Sequence, residues 1–467
     1  MTNSVAIRSA DSDAMVALSA KGRALMGGST AMRAAGQTYL PKFTAESEAS
    51  YSERLGLSWL FNGYRKTVRD MTGRVFDKPV ALDDAAPQRL KEWESNIDLA
   101  GNDLSTFARR VFDDGMSGPG ISYIMVDAPA RGGTVTQAQA RAQNLRPFLV
   151  HLRAEDILGW KTETIDNVTV LSQIRIMESV TESDPKDEFA EVKVDQIRVL
   201  DRTESNVQIR IYRKQRAGNG RDEWALYEDG GNTGLSEITV VPFYANRTGF
   251  FTGEPMLDDL ADVNIAHWQS QSDQRNILHV ARVPILFGKG IPDDKTITVS
   301  TSTATLVSDP QADLKWVEHS GQAIGAGRQD LKDLEFQMEA YGLQLLAAKG
   351  NQSATGEALD AKKETSTLSM TADALQDALE QAMIYMGMYA GEAGADVHVN
   401  KDFGISGLTS QELQVMLQAV NTGNMSRETF LREMVRRGFI AEIDPADEAE
   451  RIDTEGSNMA DPVNGGF

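Results

Sequence analysis

Eight consecutive polar residues, Gln269-Ser270-Gln271-Ser272-Asp273-Gln274-Arg275-Asn276, lie inside a segment whose two ends carry the marks of a helix. Pro255 stands at a first-turn position, with Glu254, Asp258, Asp259 and Asp262 around the start. Arg275, His279 and Arg282 stand at the end, and Pro284 closes the segment. Carboxylates at a helix N-terminus and cations at its C-terminus both complement the macrodipole, so a helix over residues 255–281 is expected. A helix this polar on nearly every face has no apolar stripe wide enough to bury. It makes sense if it packs against copies of itself or lines a wet passage.

The chain has 467 residues, enough for two or three domains with a sizeable core. Its hydrophobic fraction of 41% is that of folded soluble protein, and no run approaches the roughly 18 apolar residues of a membrane span. No membrane association is expected, and the opening Met1-Thr2-Asn3-Ser4-Val5-Ala6 lacks the basic and apolar regions of a secretory signal. The absence of cysteine excludes disulfides, thiolate zinc sites and cysteine nucleophiles, and it fits assembly in a reducing cytoplasm. A net charge of −21 argues against gripping nucleic acid through the general surface, where affinity comes from Lys and Arg. It keeps the chain soluble, and it suits a surface that DNA must slide past.

Composition changes in blocks along the chain. Residues 1–40, rich in Ala, Ser, Gly and Met, read as a mobile arm or weak helices. Glu46 to Met71 reads as one helix, stopped by Gly73, and an extended piece follows through Pro79. Shorter helices are expected over Leu90–Ile97 and Leu104–Phe112, the second capped by Asn102 or Asp103. Ile121–Asp127 is a strand, followed by candidate strands Phe148–Leu152, Val168–Ser179, Glu191–Asp201, Val207–Lys214, Glu223–Tyr227 and Ile238–Phe243. Asp229-Gly230-Gly231-Asn232 marks a turn.

Beyond the polar helix, short β pieces are expected over 284–326, with Thr296–Val299 and Leu314–Val317 the clearest. A second helix over Gln329–Ala348 carries Leu331, Leu334, Met338, Tyr341 and Leu345 at spacings of 3, 4, 3 and 4, and Gly350 caps it. Asn351–Gly356 reads as a loop. A third helix from Glu357 to Gly391 has a clean apolar stripe of Leu368, Ala372, Leu375, Leu379, Met383, Met386 and Ala390. Short helices over Ser410–Asn421 and Ser426–Arg437 follow, then a loose tail.

Catalytic patterns are sparse. Glu254, Asp258 and Asp262 share a helix face at a spacing able to hold Mg²⁺ through water, which makes an acidic nuclease the enzymatic alternative. Dipole compensation on a solvated face explains the same residues more simply. The histidines, His151, His267, His279, His319 and His398, include no His-x-x-x-His pair. Gly325-Ala326-Gly327 resembles half of a dinucleotide fingerprint without a preceding βαβ unit. No enzyme and no cofactor or metal is expected.

The order of helical start, β-rich middle, helix–β–helix insert, loop, long helix and helical end resembles the portal proteins of tailed bacteriophages. The resemblance is carried by Tyr51-Ser52-Glu53-Arg54-Leu55 leading to Gly73–Pro79, by Ile121–Pro129, by Arg146-Pro147-Phe148 and by Val241–Gly249, and it covers roughly residues 45–395. It implies an α+β, portal-type fold: an α/β wing (41–252), two stem helices (253–282 and 327–348) and a small β-containing clip between them (283–326). It further implies a tunnel loop (349–361), a long helix from channel to rim (357–395), a helical crown (396–455) and a tail (456–467).

As implied by the resemblance, Lys349, Asn351, Gln352, Ser353, Thr355, Lys362 and Lys363 would face DNA, and Asp258, Asp262, Gln269, Arg275, His279, Gln337 and Tyr341 would form stem and subunit contacts. The implied partners are copies of the same chain in a ring of about twelve, the terminase large subunit, a head–tail adaptor, the major capsid protein and scaffold, and transient, non-specific double-stranded DNA. The implied location is the portal vertex of the virion. A different head–tail connector or minor head protein is the structural alternative.

Overall fold

The computed structural model describes residues 2–129, 143–216, 222–281, 285–289, 311, 313–317, 322–343, 354–401, 416–420, 422–436 and 451. Two compact units emerge, one formed by residues 1–349 with 374–399 and the other by 350–373 with 400–467.

Alternating sequences build the larger sheet of the first unit. Strands β4 (Ile157–Ile165), β5 (Val168–Ser183), β6 (Glu191–Arg202), β7 (Val207–Arg216) and β8 (Asp222–Asn232) form an antiparallel meander in chain order. In β7, Val207 and Ile211 point inward while Gln208 is exposed, the period-two pattern of a sheet with one wet face. β4 was not expected from its sequence, because Lys161, Thr162, Glu163 and Thr164 leave its second half without alternation. The turn expected at 229–232 is instead the end of β8, where Asp229 and Gly231 pair with Arg210 and Ile209 across a register shift.

The second sheet has order β3–β2–β9, with β2 (Ile121–Asp127) between β3 (Phe148–Leu152) and β9 (Val240–Tyr244), and the short strands β10 (Arg247–Gly249) and β11 (Thr252–Gly253) pair with each other after it. Helix α6 (Leu104–Ser117) covers it with Phe107, Val111 and Phe112, each at most 1% exposed. Asp103 caps α6 by accepting a hydrogen bond from the Thr106 amide at 2.6 Å, as expected. One apolar cluster joins the two sheets through Tyr123, Leu152, Ile157, Ile174, Leu200, Val240 and Phe251. Each such side chain contributes about 1.5–3 kcal/mol by leaving water.

The N-terminal residues are helical, one of the two forms expected of them, and not a mobile arm. They form a 3-10 turn (Thr2–Ala6), helix α1 (Ala10–Met26) and helix α2 (Gly28–Ala35). The face that α1 buries is Ser12, Met15, Ser19, Gly22 and Leu25, a helical stripe in which three of five positions are Ser or Gly. A hydrophobic period is therefore missing although the geometric one is intact. Gly22 is there because of close approach: a Cβ at that position would stand 1.9 Å from the Ser117 carbonyl oxygen. Arg23 anchors the helix, its Nε donating to Glu155 at 2.6 Å and its guanidinium pairing with the buried Asp114. Among these polar contacts Ser9 caps α1 and its amide donates to the Leu158 carbonyl at 2.9 Å.

The helix expected over 46–71 is two helices, α3 (Glu48–Leu57) and α4 (Gly63–Val75), and α4 continues through Gly73. Helix α5 (Gln88–Glu94) is shorter than expected, and β1 (Ala81–Leu82) pairs with β14 (Val397–His398). Helix α7 (Asp258–Ala281) begins three residues after Pro255, which precedes the helix instead of opening it. It is followed by strand β12 (Ile285–Lys289), strand β13 (Asp313–Val317) and helix α8 (Gln322–Met338), which starts seven residues before the expected Gln329. Gly325, Ala326 and Gly327 are thus helical and form no phosphate loop. The strand expected at 296–299 lies outside the described residues.

Helix α9 (Ala354–Ala390) contributes its first part to the second unit and the rest to the first. Within the first unit its stripe is buried as expected, with Leu375, Leu379, Met383 and Met386 each 0% exposed. Within the second unit Leu368 and Ala372 are buried, and Lys401 pairs with Asp373. Residues 416–420 are helical, the start of the helix expected from Ser410 lying outside the described residues. Helix α10 (Arg427–Arg436) is capped by Ser426, whose Oγ accepts from the Thr429 amide at 3.0 Å. The expected tail at 456–467 lies outside the described residues.

Candidate self-assembly surface

The polar helix α7 satisfies several of its buried polar residues within its own chain. Asn264, 0% exposed, accepts from the Tyr64 amide at 2.9 Å and donates to the Phe61 carbonyl at 2.8 Å. Ser272 accepts from Ser58 Oγ at 2.8 Å, and Arg54 reaches both Ser272 and Asp273. Gln269 donates to the Tyr39 carbonyl at 3.0 Å. The break between α3 and α4, residues 58–62, supplies several of these groups, and this explains why one long helix does not form there. Such a buried polar seam holds through the partners that Asn264, Ser272 and Gln274 find. Contrary to the expectation from its sequence, α7 finds partners for much of its polarity in α1, α3, α4 and α8 of its own chain, not in other copies.

Helices α7 and α8 run antiparallel. The contacts descend along α8 as they rise along α7: His267 with Glu335 at 3.4 Å, Ser270 with Asp330, and Gln274 with the Ile324 carbonyl at 3.0 Å. Strands β12 and β13 continue the pair as an antiparallel ribbon, with Phe287 opposite Lys315. His267 is 1% exposed and packs at a tilt of 41° against Phe61, with ring centroids 5.3 Å apart. Burial pushes its pKa below the ordinary 6.5, against the opposing pull of Glu335. Met338 packs over Gly63 and ends α8 in a π-helical turn, Glu339–Leu343.

Helix α8 presents the opposite case from α7. Among its described side chains, 324–338, Met338 alone is buried. Gln329, Lys332, Asp333, Phe336, Gln337 and Ala340 follow the i, i+3, i+4, i+7 spacing of one face, and all are exposed. Phe336 sits at the centre of that face at 62% exposure, and Tyr341 follows in the π turn at 55%. Most helical stability in proteins comes from burying one face, so a helix this exposed is short of partners within its own chain.

The residues singled out from sequence divide accordingly. Asp258 and Asp262 both bind Lys21, at 2.8 and 2.7 Å, so an ammonium from α1 occupies the space between the two carboxylates. Gln269 is turned inward, Arg275 lies 5.8 Å from the Trp59 ring centre, and His279 is exposed in the last turn of α7. Gln337 and Tyr341 lie on the exposed side of α8 and its π turn. Phe336 was missed because the 3, 4, 3, 4 spacing directed attention to the row of Leu331, Leu334 and Met338, which does not include it. Lys349, Asn351, Gln352 and Ser353 lie outside the described residues. Thr355, Lys362 and Lys363 belong to α9, which begins at Ala354, so the expected loop does not extend through Gly356 or to residue 361.

A family model described as a domain of unknown function, DUF4055, matches residues 255–390, the stretch from the start of α7 to the end of α9. Comparison with curated proteins finds no match. Among solved structures, the chain is similar to one from the neck of a native GTA particle computed with C12 symmetry, at 10% identity and a TM-score of 0.39, covering 80% of this chain and 88% of that one. It is similar over the same shares, at 10% identity and a TM-score of 0.40, to a chain from the neck of an empty GTA particle computed with C6 symmetry. A third similar chain, from the virion of a native gene transfer agent particle, has a TM-score of 0.37 at 10% identity, again over 80% of this chain and 88% of that one.

Proposed function

We propose that this chain is a portal-type structural protein that assembles head-to-tail into a closed ring of about a dozen copies. The observation that carries the reading is the outward face of α8, where Phe336 is 62% exposed on a helix with one buried described side chain. Heterologous contacts that close into a ring need no self-complementary patch, so such a face can meet a different surface of the next copy. In this reading the α7–α8 pair forms the stem, the β12–β13 ribbon belongs to the clip, and the start of α9 lies next to the channel. The ring would sit at one capsid vertex, dock the packaging motor and then the head–tail connectors, and pass double-stranded DNA in both directions.

The net charge of −21 supports a conduit that must not adhere to phosphate. The magnesium nuclease reading is weakened by Lys21, which takes up the carboxylates of Asp258 and Asp262 that such a site needs. Electron microscopy of the purified full chain tests the proposal. Rings with an axial channel support it, and a stable monomer that cleaves DNA with Mg²⁺ contradicts it.

A further inference from the structure

We infer that a recess between the N-terminal 3-10 turn and the five-stranded sheet binds a phosphate-class oxyanion, with Lys161 and Arg175 as the two cations that hold it.

The turn Thr2–Ala6 covers part of the sheet, where Val5 and Ala6 pack against Leu158, Ile197, Val199 and Trp224. Leu158 and Val199 alternate along their strands with Ile157 and Leu200 of the main apolar cluster, so the turn sits on the opposite face from that cluster. Beside the turn a recess of about 500 Å³ opens, with Ser4, Ser9, Lys161, Arg175, Arg210 and Tyr212 among its walls. Among the described residues no carboxylate lines it. The whole chain carries a net charge of −21, so a recess walled by three cations runs against its composition.

Strand register brings two of these cations together. Across β4 and β5, Gly159 pairs with Arg175 and Lys161 with Gln173, which makes Lys161 and Arg175 diagonal neighbours on one face. Diagonal neighbours in an antiparallel pair stand about 7–8 Å apart, within reach of two long side chains. Gly159 keeps the space between them open, because a Cβ there would stand 2.7 Å from Arg175 Nη2. Asp201, opposite Gln173 on β6, is already taken by Gln173 at 2.5 Å and by Arg210 Nε at 2.9 Å. Arg210 is thereby neutralised, and the excess charge rests on Lys161 and Arg175. Among the described residues neither of the two pairs with a carboxylate.

Arg175 spends one nitrogen on the turn. Its Nη1 donates to the carbonyls of Ser4, Val5 and Ile7 at 3.1, 2.7 and 2.8 Å. These dipoles fix the guanidinium without cancelling its charge, and burial pushes its pKa down with no carboxylate opposing. Lys161 is exposed and offers three more donors. The Tyr212 hydroxyl accepts from Arg210 Nη1 at 3.0 Å, and Ser9 Oγ accepts from the Ser12 amide at 3.4 Å, so each keeps its own proton to donate. A recess furnished with donors and unpaired positive charge suits an acceptor-only guest. Phosphate brings more charge and more acceptor oxygens than a carboxylate does, and two cations stand ready for it. Anchoring of the turn accounts for the Nη1 bonds, but not for Lys161 beside them.

The phosphorus NMR line width of inorganic phosphate, titrated with the full chain at constant ionic strength, tests the site. The parent is predicted to broaden the line saturably. Lys161→Gln, at an exposed side chain and with an unchanged thermal melt, is predicted to weaken binding at least about tenfold. Arg175→Lys, which keeps the charge and loses the fork, is predicted to weaken it less than Arg175→Gln. Lys186→Gln, at an exposed lysine between β5 and β6, is predicted to bind as the parent does. No saturable broadening by the parent, or equal broadening by the parent and Lys161→Gln, overturns the site. Sulfate is predicted to displace phosphate, and acetate to do so at least about tenfold less well; acetate competing as well as sulfate overturns the phosphate class and assigns the recess to a carboxylate.

Discussion

Gln274 Nε2 donates to the carbonyl oxygen of Ile324 at 3.0 Å, joining helices α7 and α8. The approach depends on Gly327, because a Cβ there would stand 2.2 Å from Gln274 Oε1, and Gln274 is only 8% exposed. Gly327→Val should destabilise the chain by about 1–3 kcal/mol through overpacking. Gly325→Ala, two residues away with nothing within 4 Å of its added Cβ, should be neutral or stabilising by about 0.5–1 kcal/mol. Thermal melts of the two variants check this, and equal melting temperatures would contradict the packing.

The Arg23 guanidinium beside Glu155 holds that carboxyl's pKa down at about 2, against an ordinary 4.5, despite the opposing effect of burial. A depressed carboxyl pKa stabilises the fold above the unfolded value, and the contribution is lost as pH falls through the folded one. Glu155→Gln should therefore be less stable than the parent at neutral pH, with the gap closing between about pH 4.5 and pH 2. Denaturant titrations across that window measure it; a pH-independent gap would exclude the Arg23 pairing as its cause.

His267 acts in the same direction at a higher pH. Its pKa is lowered by burial, so below the ordinary 6.5 the unfolded chain takes up a proton that the folded chain refuses. Stability should fall as pH drops through 6.5 and level off once the folded imidazole titrates. His267→Gln should remove this component while leaving the one from Glu155. The check is the slope of unfolding free energy between about pH 7 and pH 5, which should be shallower in the variant.

Lys21 joins α1 to the first turns of α7 through Asp258 and Asp262, but these carboxylates are 46% and 63% exposed. Lys21→Met should cost no more than about 1 kcal/mol, with the loss shrinking in high salt. A loss several times larger in chemical denaturation would mean that α1 is held chiefly there, instead of by Arg23 and its apolar contacts.

Much of the β-rich middle is legible in the sequence because its strands alternate and its core residues are Ile, Val and Leu. The apolar row of α9 is legible for the same reason. Helix α1 was hidden because its buried stripe is written in Ser12, Ser19 and Gly22, which no hydrophobic scale marks. The polarity of α7 was visible, but the reason for it was not. Its partners are backbone groups at Tyr39, Phe61 and Tyr64 and the hydroxyl of Ser58, brought together only by tertiary folding. On the exposed face of α8, Gln337 was marked from the sequence but Phe336 was not, since it falls outside the 3, 4, 3, 4 row that a helix reader follows.

The central claim, that the outward face of α8 joins one copy to the next, is tested most directly by native mass spectrometry of the full chain beside its Phe336→Glu variant. The account predicts a closed assembly of about a dozen copies for the parent. It predicts monomers for the variant, with an unchanged thermal melt because Phe336 is 62% exposed within the single chain. A monomeric parent, or a variant that assembles as the parent does, would contradict it.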